Sequence, residues 1–382
     1  MTPKVLFNRP SRLGSEMQYM SAALENNRIA GGGSFTQEVQ GILEKELGVE
    51  KAFLTTSCTA ALEMAALLLN IQSGDEVIVP SFTFVSVGNA FALRGARPVF
   101  ADIRSDTLNI DEAFLERHIN RRTKAIVVMH YAGIGCEMDS ILELAARHSL
   151  PVVEDNAHGL FGKYKGRALG SFGCLATQSF HETKNFTCGE GGALLLNESE
   201  FIPRAEVVWE KGTNRLRFMR GQVEKYTWVD LGSSYLLADL LAAFLLAQLE
   251  ARSEIQRLRK RVWEFYYTNL KNWASQLGIG LPIIPAHAEN PYHLFYLILR
   301  TASERDRLIE HLSSQGIQSA FHYLPLHLSK MGQSFGGKDG DCPVCEDISL
   351  RLLRLPFHNH LSEIELGRVV AALECFPGTA TR

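Results

Sequence analysis

From about residue 50 to residue 200 the chain repeats one alternation: a short apolar or β-branched run, then a longer stretch whose apolar residues recur at helical spacing. EVIVPSF, ARPVFADI, KAIVVMHYA, LPVVEDNA and GGALLLN read as strands. TAALEMAALLLN, FVSVGNAFALRG, DEAFLERHI and MDSILELAARHS read as the helices between them. Strands separated by helices pack as a mostly parallel α/β sheet. Ligands of such sheets bind outside the carboxyl ends of the strands, which directs attention to Phe82, His130, Asp155 and the stretch around Lys184.

The flanks extend this frame. EMQYMSAALENN predicts an amphipathic helix, and GGGSFTQEVQGILEKEL predicts a turn at Gly31, Gly32 and Gly33, a Ser34 or Thr36 cap and a second helix. A long helix over ADLLAAFLLAQLEARSEIQRLRKRVWEFYYTNLKNWASQ, with a break near Ser253, serves as connector. Beyond it come a strand (HLFYLILR), a helix (SERDRLIEHLSSQ), a strand (QSAFHYL), a Gly-rich loop (GGKDGD) and two helices ending in VVAALECF. The expected division is a large α/β domain over 1–250 and a small α+β domain over 251–382.

Composition narrows the function. A chain of 382 residues, 46% hydrophobic and 21% charged, is ordinary globular material. A net charge of -3, with no run of Lys and Arg that suggests a localised patch, gives no purchase on a nucleic-acid backbone, so a small-molecule partner is expected. MTPKVLFNRPSRLGSEM lacks the apolar core of a signal peptide, and AALLL and LLAAFLLA are too short to span a bilayer. A cytoplasmic protein without membrane partners is the expectation. Seven cysteines scattered from Cys58 to Cys375 do not form a disulfide framework. CPVC at Cys342 and Cys345 lacks the second pair a zinc site needs, and Pro343 marks a helix start instead; no metal is expected.

Several residues carry chemistry. Asp155 ends an apolar strand, where a buried carboxylate needs a compensating cation such as a protonated pyridine nitrogen. Lys184 lies in a loop, and a lysine that forms an imine needs a partly desolvated, deprotonated amine. Ser57, Cys58 and Thr59 open a helix whose free amides suit a phosphate as well as a plain cap, and Ser179 can reach the same phosphate. Phe82 can stack on an aromatic ring or belong to the core.

In order, SCTAAL, VPSFTF, VVEDNAH, SFHETKN and GEGGA closely resemble the DegT-type sugar aminotransferases, and the resemblance continues through LGSSYLLADLLAAFLLAQLE and CPVCEDISLRLLRLPFH. It implies a pyridoxal-phosphate (PLP) enzyme of fold type I, the aspartate aminotransferase-like fold. Carried onto this chain, it implies that Lys184 holds the cofactor covalently and Asp155 pairs with the ring nitrogen. His158 would sit near the ring's phenolic oxygen, Phe82 would stack on the ring, and Ser57, Cys58, Thr59 and Ser179 would take the phosphate. FHETKN, KGTNR, RGQVEKYTW and LGSSYLL resemble the subgroup that makes dTDP-4-amino-4,6-dideoxygalactose for enterobacterial common antigen. That subgroup implies a dTDP-linked 4-keto-6-deoxy sugar as acceptor, glutamate as donor, 2-oxoglutarate as its product, and a ping-pong exchange.

Two positions depart from the family pattern: Cys58 stands where many members have Gly, and Ser234 where many have an Asn that reaches the neighbouring subunit's phosphate. A homodimer or larger homo-oligomer with shared active sites is implied. His181 is expected to line the pocket, because Lys184 is present where sugar dehydratases of this fold carry a histidine. His322, Tyr323 and His327 in FHYLPLH lie where the small domain would close over the sugar, with Tyr323 and His327 as substrate candidates. Lys211, Arg215, Arg217, Arg220 and Lys225 form either an anion-binding or a solvated basic loop. No G-x-G-x-x-G follows a strand, which sets a nicotinamide-binding fold aside.

Overall fold

The computed structural model describes residues 4–27 and 29–377. Its central sheet contains β1 (Lys51–Thr55), β2 (Glu76–Pro80), β3 (Arg97–Ala101), β4 (Thr123–Met129) and β5 (Val152–Asp155). After the two-residue strands β6 (Lys163–Tyr164) and β7 (Arg167–Ala168) come β8 (Leu175–Ser179) and β9 (Gly192–Leu196), which complete it. The order is β1-β9-β8-β5-β4-β2-β3, and only β9 runs against the rest. The five expected strands are present; β1 and β8 are additional.

Helices cover both faces because successive strand residues point to opposite sides. Val77 and Val79 pack under α3 (Cys58–Leu68) and α4 (Val85–Ala92), while Ile78 between them faces α5 (Met138–Arg147). Leu54, Ala176 and Leu195 meet α1 (Glu16–Glu25), α2 (Ser34–Leu47) and, further along, α8 (Asp239–Glu250). Between α5 and α8 lie α6 (Ile202–Trp209) and the short α7 (Arg215–Met219). DEAFLERHI forms a tighter 3-10 helix, Glu112–His118, rather than an α-helix.

The expected cap of α2 is corrected. Gly33 occupies the cap position, and Asp239 does the capping from α8, accepting from the Thr36 amide at 2.8 Å and the Thr36 hydroxyl at 2.7 Å. A Cβ on Gly33 would stand 2.1 Å from the Asp239 carboxylate, so this glycine is required by close packing and not only by the turn.

The connector breaks at Ala251, between α8 and α9 (Arg252–Leu277). A second core gathers Val262, Tyr266 and Leu270 of α9 with β11 (Tyr296–Ile298), α10 (Ala302–Ser314), β12 (Leu352–Arg354) and α13 (Glu363–Glu374). The remaining elements are β10 (Ala288–Glu289), which pairs with β6, and the short helices α11 (Lys330–Ser334) and α12 (Pro343–Arg351). Val5 is buried in this second core and bridges Ile317, so the first described residues pack with the C-terminal body. QSAFHYL is not a strand: it makes one bridge, Ala320 with Arg354, and then turns inward with His322 and Tyr323. As expected, Pro343 opens α12; the buried free thiols Cys342 and Cys345 lie beside amides of Val344 and Cys345 that donate to Asp102 at 3.0 and 2.8 Å.

Candidate active site

At the carboxyl end of β1 the chain stays extended at Ser57 before entering α3. Ser57 Oγ accepts the Ala60 amide at 3.0 Å, so its side chain is the helix cap. The first turn leaves the Cys58 and Thr59 amides without intrahelical acceptors, pointing the positive end of the helix outward. Gly192 of β9 backs this turn: a Cβ there would lie 2.3 Å from the Ser57 carbonyl carbon and 2.4 Å from the Cys58 nitrogen. Ser179, at the end of β8, presents its hydroxyl to the same space and accepts the His181 amide at 3.4 Å.

That space is a cavity of about 580 Å³, walled by Ser57, Cys58, Thr59, Asp155, His158, Ser179 and Lys184. Asp155 is buried, and the Ala157 amide, at 3.0 Å, is the hydrogen-bond donor to its carboxylate. Burial pushes its pKa up, against the pull of that amide, of Lys184 and of His130. Burial lowers the Lys184 amine from 10.5 to about 8, against the attraction of Asp155. Both groups face the cavity, yet no carboxylate lies within 4.0 Å of the amine among the described residues. The two therefore flank a gap rather than close it.

The neighbouring strand ends are fixed by a buried pair. Glu154 accepts from the amides of Gly170, Phe172 and Gly173 at 2.8, 2.6 and 2.7 Å. His130, whose Nδ1 takes the Cys136 amide at 3.1 Å, donates from Nε2 to Glu154 at 2.8 Å. Side chains on successive positions of β5 thus do different work: Glu154 anchors the scaffold on one face while Asp155 faces the cavity on the other.

Histidines and tyrosines form the opposite wall. His158 stacks on His293, ring centres 4.0 Å apart, and its Nε2 lies 3.4 Å from the Tyr323 hydroxyl. Its Nδ1 is buried without a partner. His293 Nδ1 meets the Asn185 carboxamide oxygen at 2.8 Å, and Asn185 also donates to the Pro291 carbonyl at 2.7 Å, which tethers the residue after Lys184. His322 contacts the Tyr131 hydroxyl at 3.0 Å. Desolvation holds His158, His293 and His322 well below the usual imidazole range, so this wall is uncharged near neutral pH.

The structure thus brings Ser57, Cys58, Thr59, Asp155, His158, Ser179, His181, Lys184 and Tyr323 to one cavity. His181 sits at its edge, bonded to the Thr183 hydroxyl at 2.9 Å and 3.5 Å from Glu190. Two expectations are corrected. Phe82, 1% exposed, does not line the cavity; its ring packs behind Tyr131 and Tyr323 at 5.1 and 5.7 Å, in the core. His327 is fully buried away from the cavity, joining Ser81 at 2.6 Å to Glu346 at 2.8 Å, so it ties α12 to the end of β2. In the basic loop, Lys211 and Arg215 pair with Glu210 at 3.2 and 3.0 Å and Arg220 with Glu206 at 2.6 Å; none of the five lines the cavity. Ser234 is exposed outside the cavity, on a bridge to Glu210. Sequence reasoning missed His293, Asn8 and Arg354, which also line it.

These residues fit pyridoxal phosphate. An uncompensated buried carboxylate, an orphaned His158 nitrogen, a low-pKa lysine and a helix start with free amides suit its ring nitrogen, ring oxygen, aldehyde and phosphate in turn. Among the described residues no group of three or more His, Cys, Asp or Glu is placed to hold a metal ion.

Comparison with known proteins agrees with this geometry. Residues 11–374 match the model of the DegT/DnrJ/EryC1/StrS aminotransferase family. The chain is 31% identical over 377 residues to a GDP-perosamine synthase of Escherichia coli O157:H7, covering 96% of this chain and 97% of that one. It is 33% identical over 349 residues to the uncharacterized protein MJ1066 of Methanocaldococcus jannaschii, covering 90% of each. Among solved structures it superposes on the aminotransferase TlmJ of Streptoalloteichus hindustanus with a TM-score of 0.91 at 28% identity, over 99% and 100% of the two chains. The chain belongs to the DegT/DnrJ/EryC1/StrS family of PLP-dependent sugar aminotransferases.

Proposed function

We propose that this enzyme moves the amino group of glutamate onto dTDP-4-keto-6-deoxyglucose, giving dTDP-4-amino-4,6-dideoxygalactose and 2-oxoglutarate. The observation that carries the transaminase reading is the pairing of Lys184 and Asp155 across one cavity, neither neutralising the other directly. Bound pyridoxal phosphate supplies an electron sink for the carbon that loses its proton. Asp155, held at the end of β5, keeps the cofactor's ring nitrogen protonated. Cys58 and Thr59 amides, with the Ser57 and Ser179 hydroxyls, seat the phosphate at the start of α3. His158 holds the ring oxygen through its free nitrogen.

Lys184 has a second task. With its pKa lowered to about 8, part of its amine is unprotonated near neutrality, and when free it would take up the proton that the substrate carbon loses. Lys184→Ala or Lys184→Arg is expected to abolish turnover and the absorbance of the lysine-bound cofactor. Normal activity in either variant would sink the assignment.

A second reading changes the nucleotide. Resemblance to a relative named GDP-perosamine synthase favours a GDP-linked keto sugar. Comparing kcat/KM for dTDP- and GDP-linked 4-keto-6-deoxy sugars separates the two; a higher value for the GDP compound would displace the dTDP proposal.

We also propose a homodimer in which Ser234 reaches the partner's phosphate. It lies outside its own cavity, near Trp228, Val229 and Leu231, which are 73%, 52% and 49% exposed. Apolar exposure of this extent on one segment suits a subunit contact. Sedimentation of the active enzyme as a monomer would contradict it.

A further inference from the structure

Arg354 closes β12, where its backbone exchanges hydrogen bonds with Ala320 at 2.7 and 3.2 Å. Its side chain lines the cavity that holds Lys184. The guanidinium carbon stands 4.9 Å over the Phe7 ring, and Nε is buried with no hydrogen-bond partner. No carboxylate lies within 4.0 Å of the side chain among the described residues. The groups that interact with it are Tyr131 and Tyr323, the histidines of the uncharged wall, and two further cations, Lys184 and Arg259. Desolvation pulls its pKa down, but an arginine stays charged in proteins. A desolvated guanidinium without a counter-ion is costly unless a ligand supplies the anion.

We infer that Arg354 receives the α-carboxylate of the amino donor, an assignment that rests on the transaminase reading above. Two substrate anions compete for it, a carboxylate and the diphosphate of the sugar nucleotide. The α-carboxylate sits one bond from the carbon bearing the reacting amine, so it must lie beside Lys184. The diphosphate is held away from the keto carbon by the whole sugar ring. Arg354 is close enough to Lys184 to depress its amine electrostatically, and its planar fork matches a carboxylate with two parallel hydrogen bonds. The keto sugar brings no charge to that position. Arg354 therefore acts in the donor half of the exchange and is idle in the acceptor half.

Arg354→Gln and Arg354→Lys separate the halves. In rapid-mixing experiments on cofactor-loaded enzyme, kcat/KM for glutamate is expected to fall by roughly 30-fold to 1000-fold in Arg354→Gln, with partial recovery in Arg354→Lys. Reaction of the amine-charged enzyme with keto sugar should stay within about threefold of wild type. Glutarate, which cannot react, should bind the cofactor-free protein at least about tenfold more weakly in Arg354→Gln by calorimetry. An equal loss in both halves, a larger loss with keto sugar, or unchanged glutarate affinity overturns the inference. Should Arg354→Gln fail to fold, Arg354→Lys keeps the charge and still tests the fork: full glutamate activity there overturns it. If the wild type transfers no nitrogen to any keto sugar, the transaminase reading falls instead, and glutarate binding still reports on Arg354.

Discussion

Lys184 is expected to be a liability for the fold, and its removal to stabilise the cofactor-free protein. Lowering its pKa from 10.5 to about 8 means that the folded state disfavours the charged amine. At about 1.4 kcal/mol per unit, the penalty is about 3 kcal/mol. Below about pH 8 the amine is protonated in both states, and the penalty is paid in full. Between about 8 and 10.5 the unfolded chain holds more protons, so wild-type stability from this group rises with pH. Lys184→Met removes the penalty but leaves Asp155 without one of the charges that lower its pKa, which takes back part of the gain. A net stabilisation of about 1–3 kcal/mol near neutral pH is expected, shrinking as pH rises toward 10. Urea unfolding of both cofactor-free proteins, at matched concentration and two pH values, measures it. A variant no more stable than wild type near neutrality, or a gain independent of pH, would refute the reasoning.

Gly192→Ala forces a methyl group against the Ser57–Cys58 peptide and should weaken cofactor binding by at least about tenfold, read by absorbance titration. His327→Ala leaves Ser81 and Glu346 without their shared partner and should cost about 2–4 kcal/mol in denaturant unfolding, while kcat/KM of the folded enzyme changes little.

The sheet and the cofactor end of the site were legible because their signals are local. A strand followed by Asp155, and a Ser-Cys-Thr turn opening α3, carry their meaning within a few residues. Phe82 misled because a strand-end aromatic reads alike whether it faces a ligand or, as here, lies behind Tyr131 and Tyr323. The sequence pattern predicts Ser34 or Thr36 as the cap of α2, yet the carboxylate comes from Asp239, 203 positions beyond Thr36. His293 and Arg354 were invisible for the same reason. Each reaches Lys184 only after the second body folds against the sheet, and nothing beside them in sequence marks the contact. QSAFHYL has strand-like residues, but among the described residues it bridges only at Ala320, and His322 and Tyr323 go to the cavity instead.

The most direct test follows the nitrogen. Enzyme loaded with pyridoxal phosphate, given 15N-labelled glutamate and dTDP-4-keto-6-deoxyglucose, should release one 2-oxoglutarate for each sugar aminated. NMR of the product should place the label on C4 with galacto configuration. Label on C3, a gluco product, or 2-oxoglutarate formed without labelled sugar would contradict the account.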